Sequence, residues 1–377
     1  MKKLHLLFHG RMPSEKAAAL FAAKSAAAFA QVGFDVTLVA PRRLTTSGDV
    51  FAYYHLPPTF KVVYLPTLDL FNVPLLARLA FKISFVVFSL SALFYAWRQS
   101  RHDIFYSNET LPLYIVSFIR KNTFFEMHDF VDSKLQLFKS MLHRFRWILV
   151  HNTWKQQKLF ELLPSASTKT ICVPNPVDES LLLQTLNKTE ARTKCQLPPD
   201  KKIIVYTGHL YGWKGTDTLA QAATQLPVNY LVVFVGGTPA DIERFKKQFA
   251  HVPTIRIVGH KPHEEIKYWQ AAADVLVLPN SGKENISKYY TSPMKLFEYM
   301  AARRPIVASR LPSITEIVDE RCTFLFEADN PHDLTQRIIQ AAESDQTVIS
   351  PMVERALALV KDNTWLHRAQ KISDFIK

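Results

Sequence analysis

Short apolar runs alternate with longer stretches of helical periodicity along most of the chain. That alternation is the mark of βαβ units that build a parallel sheet. In the first half, residues 4–8 and 36–40 read as strands. Between them runs an Ala-rich helix with Ser14 as its cap, ending near residue 30. Residues 103–106, 123–126, 147–150 and 171–173 read as further strands with helices between them. Residues 179–200 are polar and lose the strand pattern, which suggests a junction. The alternation then restarts. Residues 203–206, 230–235, 254–258, 275–278, 306–308 and 323–326 read as strands, and 214–223, 239–249, 263–272, 292–301 and 332–342 as helices. The expectation is an α/β chain of two Rossmann-like domains. The first covers residues 1–185 and the second 200–360, with residues 361–377 as a C-terminal helix packing back on the first.

Residues 76–99 are the most apolar segment. After Lys82 the apolar or small run from Ile83 to Trp97 is 15 residues, short of the roughly 20 that cross a bilayer. The segment reads either as a helix buried between layers or as an interfacial helix. In the second case Arg78, Lys82, Arg98 and Arg101 flank it and Trp97 sits at its edge. A helix partly buried and partly resting on a membrane is expected here, and a span is not.

The stretch from Ser292 to Ala301 carries the most chemistry. Ser292 suits an N-cap and Pro293 the first helical position, where its missing N–H is no loss. The free amides of the first turn and the helix dipole favour an anion. Lys295 and Glu298 are three apart and share a face. Together they offer a cation and amide donors for phosphate, and a carboxylate one turn on for a sugar diol. The plainer reading is a capped amphipathic helix with a surface ion pair. His128 follows the strand at 123–126, where ligands bind in such sheets. Residues 13–16 lie at the equivalent turn of the first strand but lack a glycine-rich fingerprint. Seven of the chain's ten glycines fall in the second half (Gly208, Gly212, Gly215, Gly236, Gly237, Gly259 and Gly282), mostly just past strands. Backbone that must approach a ligand closely needs glycine there.

Composition narrows the classes. The chain has 377 residues, 48% hydrophobic and 21% charged, which fits two ordered domains. Three scattered cysteines give no disulfide framework or paired metal spacing, so a reducing, cytoplasmic setting is expected. The apolar start is short and runs into Arg11, which reads as a first strand and not a signal peptide. Residues 1–185 carry 21 Lys+Arg and 12 Asp+Glu, so 21 − 12 = +9 of the net +13 lies there. A basic half suits an anionic membrane surface or phosphorylated substrates. No basic run with interleaved aromatics points to nucleic acid.

The motifs taken together resemble the family 4 retaining glycosyltransferases of GT-B fold, in which two Rossmann-like domains face each other across a cleft. They are Gly208-His209-Leu210-Tyr211-Gly212-Trp213-Lys214-Gly215, Val235-Gly236-Gly237, Val258-Gly259-His260, residues 273–279, and 292–301 with Arg304-Pro305-Ile306-Val307-Ala308-Ser309. Met127-His128-Asp129 and residues 173–178 match in the first half. Singly each is weak, while their order and spacing cover the whole chain.

The resemblance implies a hexosyltransferase-like enzyme. It would move a sugar from a nucleotide-sugar donor to a glycan or lipid-linked acceptor in surface polysaccharide assembly, at the inner face of the cell membrane. Glu298 would hold the ribose hydroxyls, and Lys214 would neutralise the diphosphate beside Gly208 and His209, assisted by Ser292, Pro293, Met294 and Lys295. Gly259 and His260 would meet the base. His128 would face the donor sugar, and Gly10, Arg11 and Ser14 would line the acceptor side. Lysines and helix ends replace a metal in this family, so neither metal nor cofactor is expected. Two departures stand out. The family's first acid, eight residues before Glu298, is Tyr290 here, and the arginine often found before the lysine is His209. A nucleotide-sugar epimerase of the same fold, or a non-catalytic scaffold at the membrane, are the alternatives.

Overall fold

The computed structural model describes residues 2–44, 48–69, 77–131, 135–183, 185–249 and 251–377. The chain divides into two compact units, Met1–Val173 with Trp365–Lys377, and Pro174–Thr364.

The first unit runs β1 (Lys3–Leu7), α1 (Ala17–Gln31), β2 (Asp35–Pro41), α2 (Val50–Tyr54), β3 (Lys61–Leu65), α3 (Ala77–Trp97), β4 (Ile104–Ser107), α4 (Thr110–Val116), β5 (Thr123–Met127), α5 (Leu135–Arg144), β6 (Trp147–Val150), α6 (Thr153–Leu162) and β7 (Thr170–Cys172). Its seven strands are ordered β3-β2-β1-β4-β5-β6-β7, and every pairing is parallel. Strand order reverses between β1 and β4, so the carboxyl ends of those strands form the natural ligand crevice. A core of Leu7, Val39, Phe88, Phe105, Phe125 and Ile148 fills one side of the sheet.

The second unit runs α7 (Glu179–Leu183), α8 (Lys188–Lys194), β8 (Lys202–Thr207), α9 (Thr216–Ala223), β9 (Tyr230–Val235), α10 (Pro239–Phe249), β10 (Ile255–Gly259), α11 (His263–Ala272), β11 (Val275–Leu278), α12 (Met294–Ala301), β12 (Ile306–Ser309), α13 (Pro312–Thr315), β13 (Phe324–Phe326), α14 (Pro331–Glu343) and α15 (Gln346–Lys361). Six parallel strands are ordered β10-β9-β8-β11-β12-β13, which places the reversal between β8 and β11. The chain then returns to the first unit as α16 (Trp365–Phe375). There Trp365 packs edge-on against Phe21 of α1 at 5.0 Å. Two α/β units with parallel sheets are thus observed.

Several local readings change. Lys61–Leu65 is an edge strand that the sequence pattern does not flag. Ser14 does not cap α1: the helix starts at Ala17, with Lys16 before it and no side-chain cap. Instead the Ser14 backbone is bound by Tyr54, whose hydroxyl accepts from Ser14 N at 2.8 Å and donates to Ser14 O at 2.7 Å. Ser292 does not cap α12 either. Pro293 stands at the cap position, and the helix begins at Met294. The Ser292 hydroxyl accepts from the amide of Asn175 at 3.2 Å, and its carbonyl accepts from Asn175 Nδ2 at 2.8 Å. The polar stretch after residue 179 is helical and belongs to the second unit, where Arg192 of α8 bonds Asp274 at 2.5 Å.

The apolar segment is longer than its uninterrupted run suggests. Leu79–Trp97, 19 residues of mean hydropathy 1.8, is long and apolar enough to cross a membrane by length and composition. One face is built into the fold. Ala80, Ser84, Phe88, Ala92 and Ala96, spaced by four, are buried. Ser84 lies 3.1 Å from His9 Nε2, and Tyr95 bonds His5 at 3.0 Å. The opposite face leaves Leu90, Phe94 and Trp97 more than half exposed. Residue 76 and the Arg78 side chain lie outside the described residues.

Candidate functional site

In the second unit the expected donor residues lie at or beyond the carboxyl ends of β8, β10 and β11. Gly208 follows β8 with φ +124°, and a Cβ there would collide with the Lys295 ammonium. Glycine is therefore what lets that lysine lie across the loop. Lys295 donates from Nζ to the Tyr206 hydroxyl at 2.9 Å and sits 4.2 Å from its ring centroid. Lys214 ends the short turn Gly212–Lys214 and rests over the Trp213 ring at 3.7 Å. His209 stacks on Tyr211, ring centroids 4.8 Å apart.

Among the described residues none of these groups forms an ion pair, and burial works against the charge on each. Burial pushes Lys214 down to about 8. Burial first, then the positive field of Lys214, drives Lys295 well below the lysine range, against a weaker pull from Glu298. His209 is lowered by burial and by both lysines. An anion placed here would relieve all three.

Glu298 lies on α12 one turn beyond Lys295, yet the two do not pair. Gln270 Nε2 of α11 donates to Glu298 Oε2 at 3.3 Å, while Lys295 turns to Tyr206. Burial raises the Glu298 carboxyl, opposed by nearby His263. Tyr290 closes the single-turn π-helix Ile286–Tyr290 ahead of α12. Gly259, φ +87°, accepts at its carbonyl from Gly236 N at 2.8 Å, and His260 beside it is exposed. Ser292, Pro293 and Met294 precede or open α12, with Ser292 held by Asn175 as described.

In the first unit Gly10 follows β1, where a Cβ would collide with the Phe8 ring. Arg11 pairs with Glu15 at 2.7 Å on the surface. Behind them is a cluster that the sequence did not reveal. Arg43 donates to His9 O at 3.0 Å and lies 3.2 Å from His9 Nε2, and the His9 amide donates to Glu109 at 2.9 Å. Burial drives His9 down to about 4 and Glu109 up to about 7.

His128 stands just past β5, its side chain 31% exposed, with Nε2 3.1 Å from Glu126 Oε1. His151 Nε2 and Arg368 Nη2 reach the same oxygen at 3.1 and 2.6 Å. Glu126, His128 and His151 have ligand atoms within 4.8 Å of one another, a donor set that could hold a metal. The guanidinium of Arg368 already supplies a cation at that carboxylate. Glu126 left one signal in the sequence, a lone charge in the buried strand TFFEM. Arg368 left none.

Strand order, the two reversals and the carboxyl-end sites define the GT-B fold of glycosyltransferases. Comparison with solved structures agrees: Anabaena Alr3699/HepE in complex with UDP and glucose aligns over 99% of both chains, with TM-score 0.76 and 18% identity. Residues 201–344 match the family described as Glycosyl transferases group 1. Among curated proteins, D-inositol 3-phosphate glycosyltransferase 1 of Catenulispora acidiphila is 25% identical over 184 residues, 45% of this chain and 42% of that protein. The putative teichuronic acid biosynthesis glycosyltransferase TuaC of Bacillus subtilis is 26% identical over 151 residues, 40% of this chain and 36% of its own. The matched regions thus span less than half the length of these curated relatives.

Proposed function

We propose that the chain is a metal-independent, retaining, hexosyltransferase-like enzyme. It moves a sugar from a nucleotide-sugar donor to a glycan or lipid-linked acceptor in surface polysaccharide assembly. The observation that carries this reading is the Lys295 ammonium lying against Gly208, with Lys214 at the end of the same loop and Glu298 one turn along α12. Lys214 and Lys295 would neutralise the donor diphosphate, with His209 and the residues from Ser292 to Met294 beside them. Glu298, steadied by Gln270, would take the ribose hydroxyls, and the backbone near Gly259 and His260 would meet the base. His128 would serve the sugar, Tyr290 would stand in place of the family acid, and Gly10, Arg11 and Ser14 would lie on the acceptor side.

Glycosyl transfer builds charge on the departing diphosphate while the sugar becomes cationic. Fixed cations aimed at that phosphate stabilise the transition state more than the ground state. The glycosyltransferases among the relatives, and the UDP and glucose in the HepE structure, support the reaction class and a nucleotide-sugar donor. The basic first half and the exposed apolar face of α3 support a peripheral seat on the cytoplasmic face of an anionic membrane.

The test is transfer by the full-length chain from a panel of nucleotide sugars to lipid-linked acceptors, with the product's anomeric configuration read by NMR. Retained configuration, and a rate unchanged by EDTA, are expected. Inversion, or a rate lost to EDTA and restored by manganese, would contradict the mechanism.

A further inference from the structure

The Glu126 carboxylate is fully buried, and three side chains converge on its Oε1: Arg368 of α16, His128 and His151. Burial opposes the charge on Glu126, but Arg368 and the histidines outweigh it and hold the carboxyl well below its usual range. Burial also drives His151 down to about 3, so that ring is neutral and the buried charge is balanced by Arg368. The rest of the shell fixes the His128 ring. Lys155 Nζ of α6 donates to the His128 carbonyl at 2.6 Å. Phe21 of α1 and His151 pack edge-on against its ring at 5.1 and 4.7 Å. With Nε2 turned inward, Nδ1 is the ring nitrogen with no hydrogen-bond partner among the described residues.

An ionised carboxylate only accepts hydrogen bonds, so the nitrogen facing it carries the proton; whenever the ring holds a single proton, the other nitrogen carries a lone pair. We propose that Glu126, anchored by Arg368, is a positioning residue that locks His128 in its Nε2–H tautomer and presents Nδ1 as an acceptor for a hydroxyl of the donor sugar. This rests on the reading of His128 as the residue that serves the sugar, and it goes further by assigning the direction of the hydrogen bond. The C-terminal helix is then part of the reaction machinery, because Arg368 keeps the carboxylate in place.

The test uses the full-length chain labelled with 15N-histidine, with the His128 signals assigned by their loss in His128→Asn. The expected spectrum at neutral pH shows a protonated, pyrrole-type Nε2 and a bare, pyridine-type Nδ1. Glu126→Gln should abolish that single tautomer. It should also lower kcat for UDP release from UDP-glucose roughly 10–100-fold with KM little changed, the cost typical of losing a carboxylate that orients a functional histidine. A protonated Nδ1 in the native chain, or an unchanged tautomer in Glu126→Gln, overturns the proposal. Should Glu126→Gln fail to fold, the native spectrum still decides. Should the native chain turn over no donor, the transferase reading fails while the spectrum still judges the tautomer.

Discussion

Arg368 places Nη2 2.6 Å from Oε1 of Glu126, a residue 242 positions earlier in the chain, and both side chains are buried. The pair joins the C-terminal helix to the centre of the first sheet. Breaking one side of a buried ion pair leaves a charge with neither water nor partner. Arg368→Met should therefore destabilise the first unit by about 3–5 kcal/mol. Glu126→Gln with Arg368→Met together should recover part of that loss, since no charge remains stranded. Chemical denaturation of the native chain, the two single variants Arg368→Met and Glu126→Gln, and the double variant checks both, and additive losses would contradict the coupling.

On the proposed reading, Lys214 should make nucleotide binding depend on pH. Its ammonium is lowered to about 8 in the free protein, and a bound diphosphate would draw it back to the charged form. Binding of a nucleoside diphosphate should thus take up protons near pH 8, and affinity should fall as pH rises above that value. Calorimetry in buffers of different ionisation enthalpy measures the uptake. Lys214→Met should weaken binding and flatten the pH dependence.

The His9 and Glu109 cluster gives stability two opposing slopes. Glu109, raised to about 7 from an ordinary 4.5, holds a proton that the unfolded chain has lost across that window, so its contribution falls as pH rises. His9, lowered to about 4 from 6.5, lacks a proton that the unfolded chain holds, so its contribution grows between those values. The two offset in the native chain. Relative to it, Glu109→Gln should gain melting temperature as pH rises from 4.5 to 7, and His9→Gln should lose it from 4 to 6.5. Parallel melting curves for all three proteins would refute the assignment.

The outer face of α3 exposes Leu90, Phe94 and Trp97, with Arg98 lying 4.3 Å over the Phe94 ring. Apolar rings beside a cation suit the interface of an anionic bilayer. The chain should sediment with vesicles of anionic lipid and not with neutral ones. Phe94→Asp with Trp97→Asp should abolish that sedimentation without unfolding the protein, because neither side chain is buried. Equal partitioning to both vesicles would count against it.

The large architecture was legible because a parallel strand buried on both faces writes itself as an apolar run. β8, β9 and β11 are such strands. β3 was not legible: at the sheet edge Lys61–Leu65 is half exposed, and its pattern blurs. The two serines were misread as caps for different reasons. Ser14 lies three residues before the helix start at Ala17, its backbone held by Tyr54, whereas the Ser292 hydroxyl is taken by the amide of Asn175. The Gly208 to Lys214 loop was placed by its glycines. What Lys295 and Glu298 do next was not, because Tyr206 and Gln270 reach them from other elements. α3 was read as too short to cross a membrane because Lys82 was treated as an end, whereas the helix runs on through it from Ala77.

On the proposed reading, the strand ends of the second unit grip a nucleoside diphosphate through Lys214 and its ribose through Glu298. The most direct measurement is the melting temperature of the native chain, Lys214→Ala and Glu298→Ala against a panel of UDP, GDP, CDP and ADP, since a ligand that binds only the folded state raises the melting temperature by mass action. At least one diphosphate should stabilise the native chain, and both variants should lose most of that shift while still folding. No stabilisation by any of the four, or full stabilisation of both variants, would contradict it.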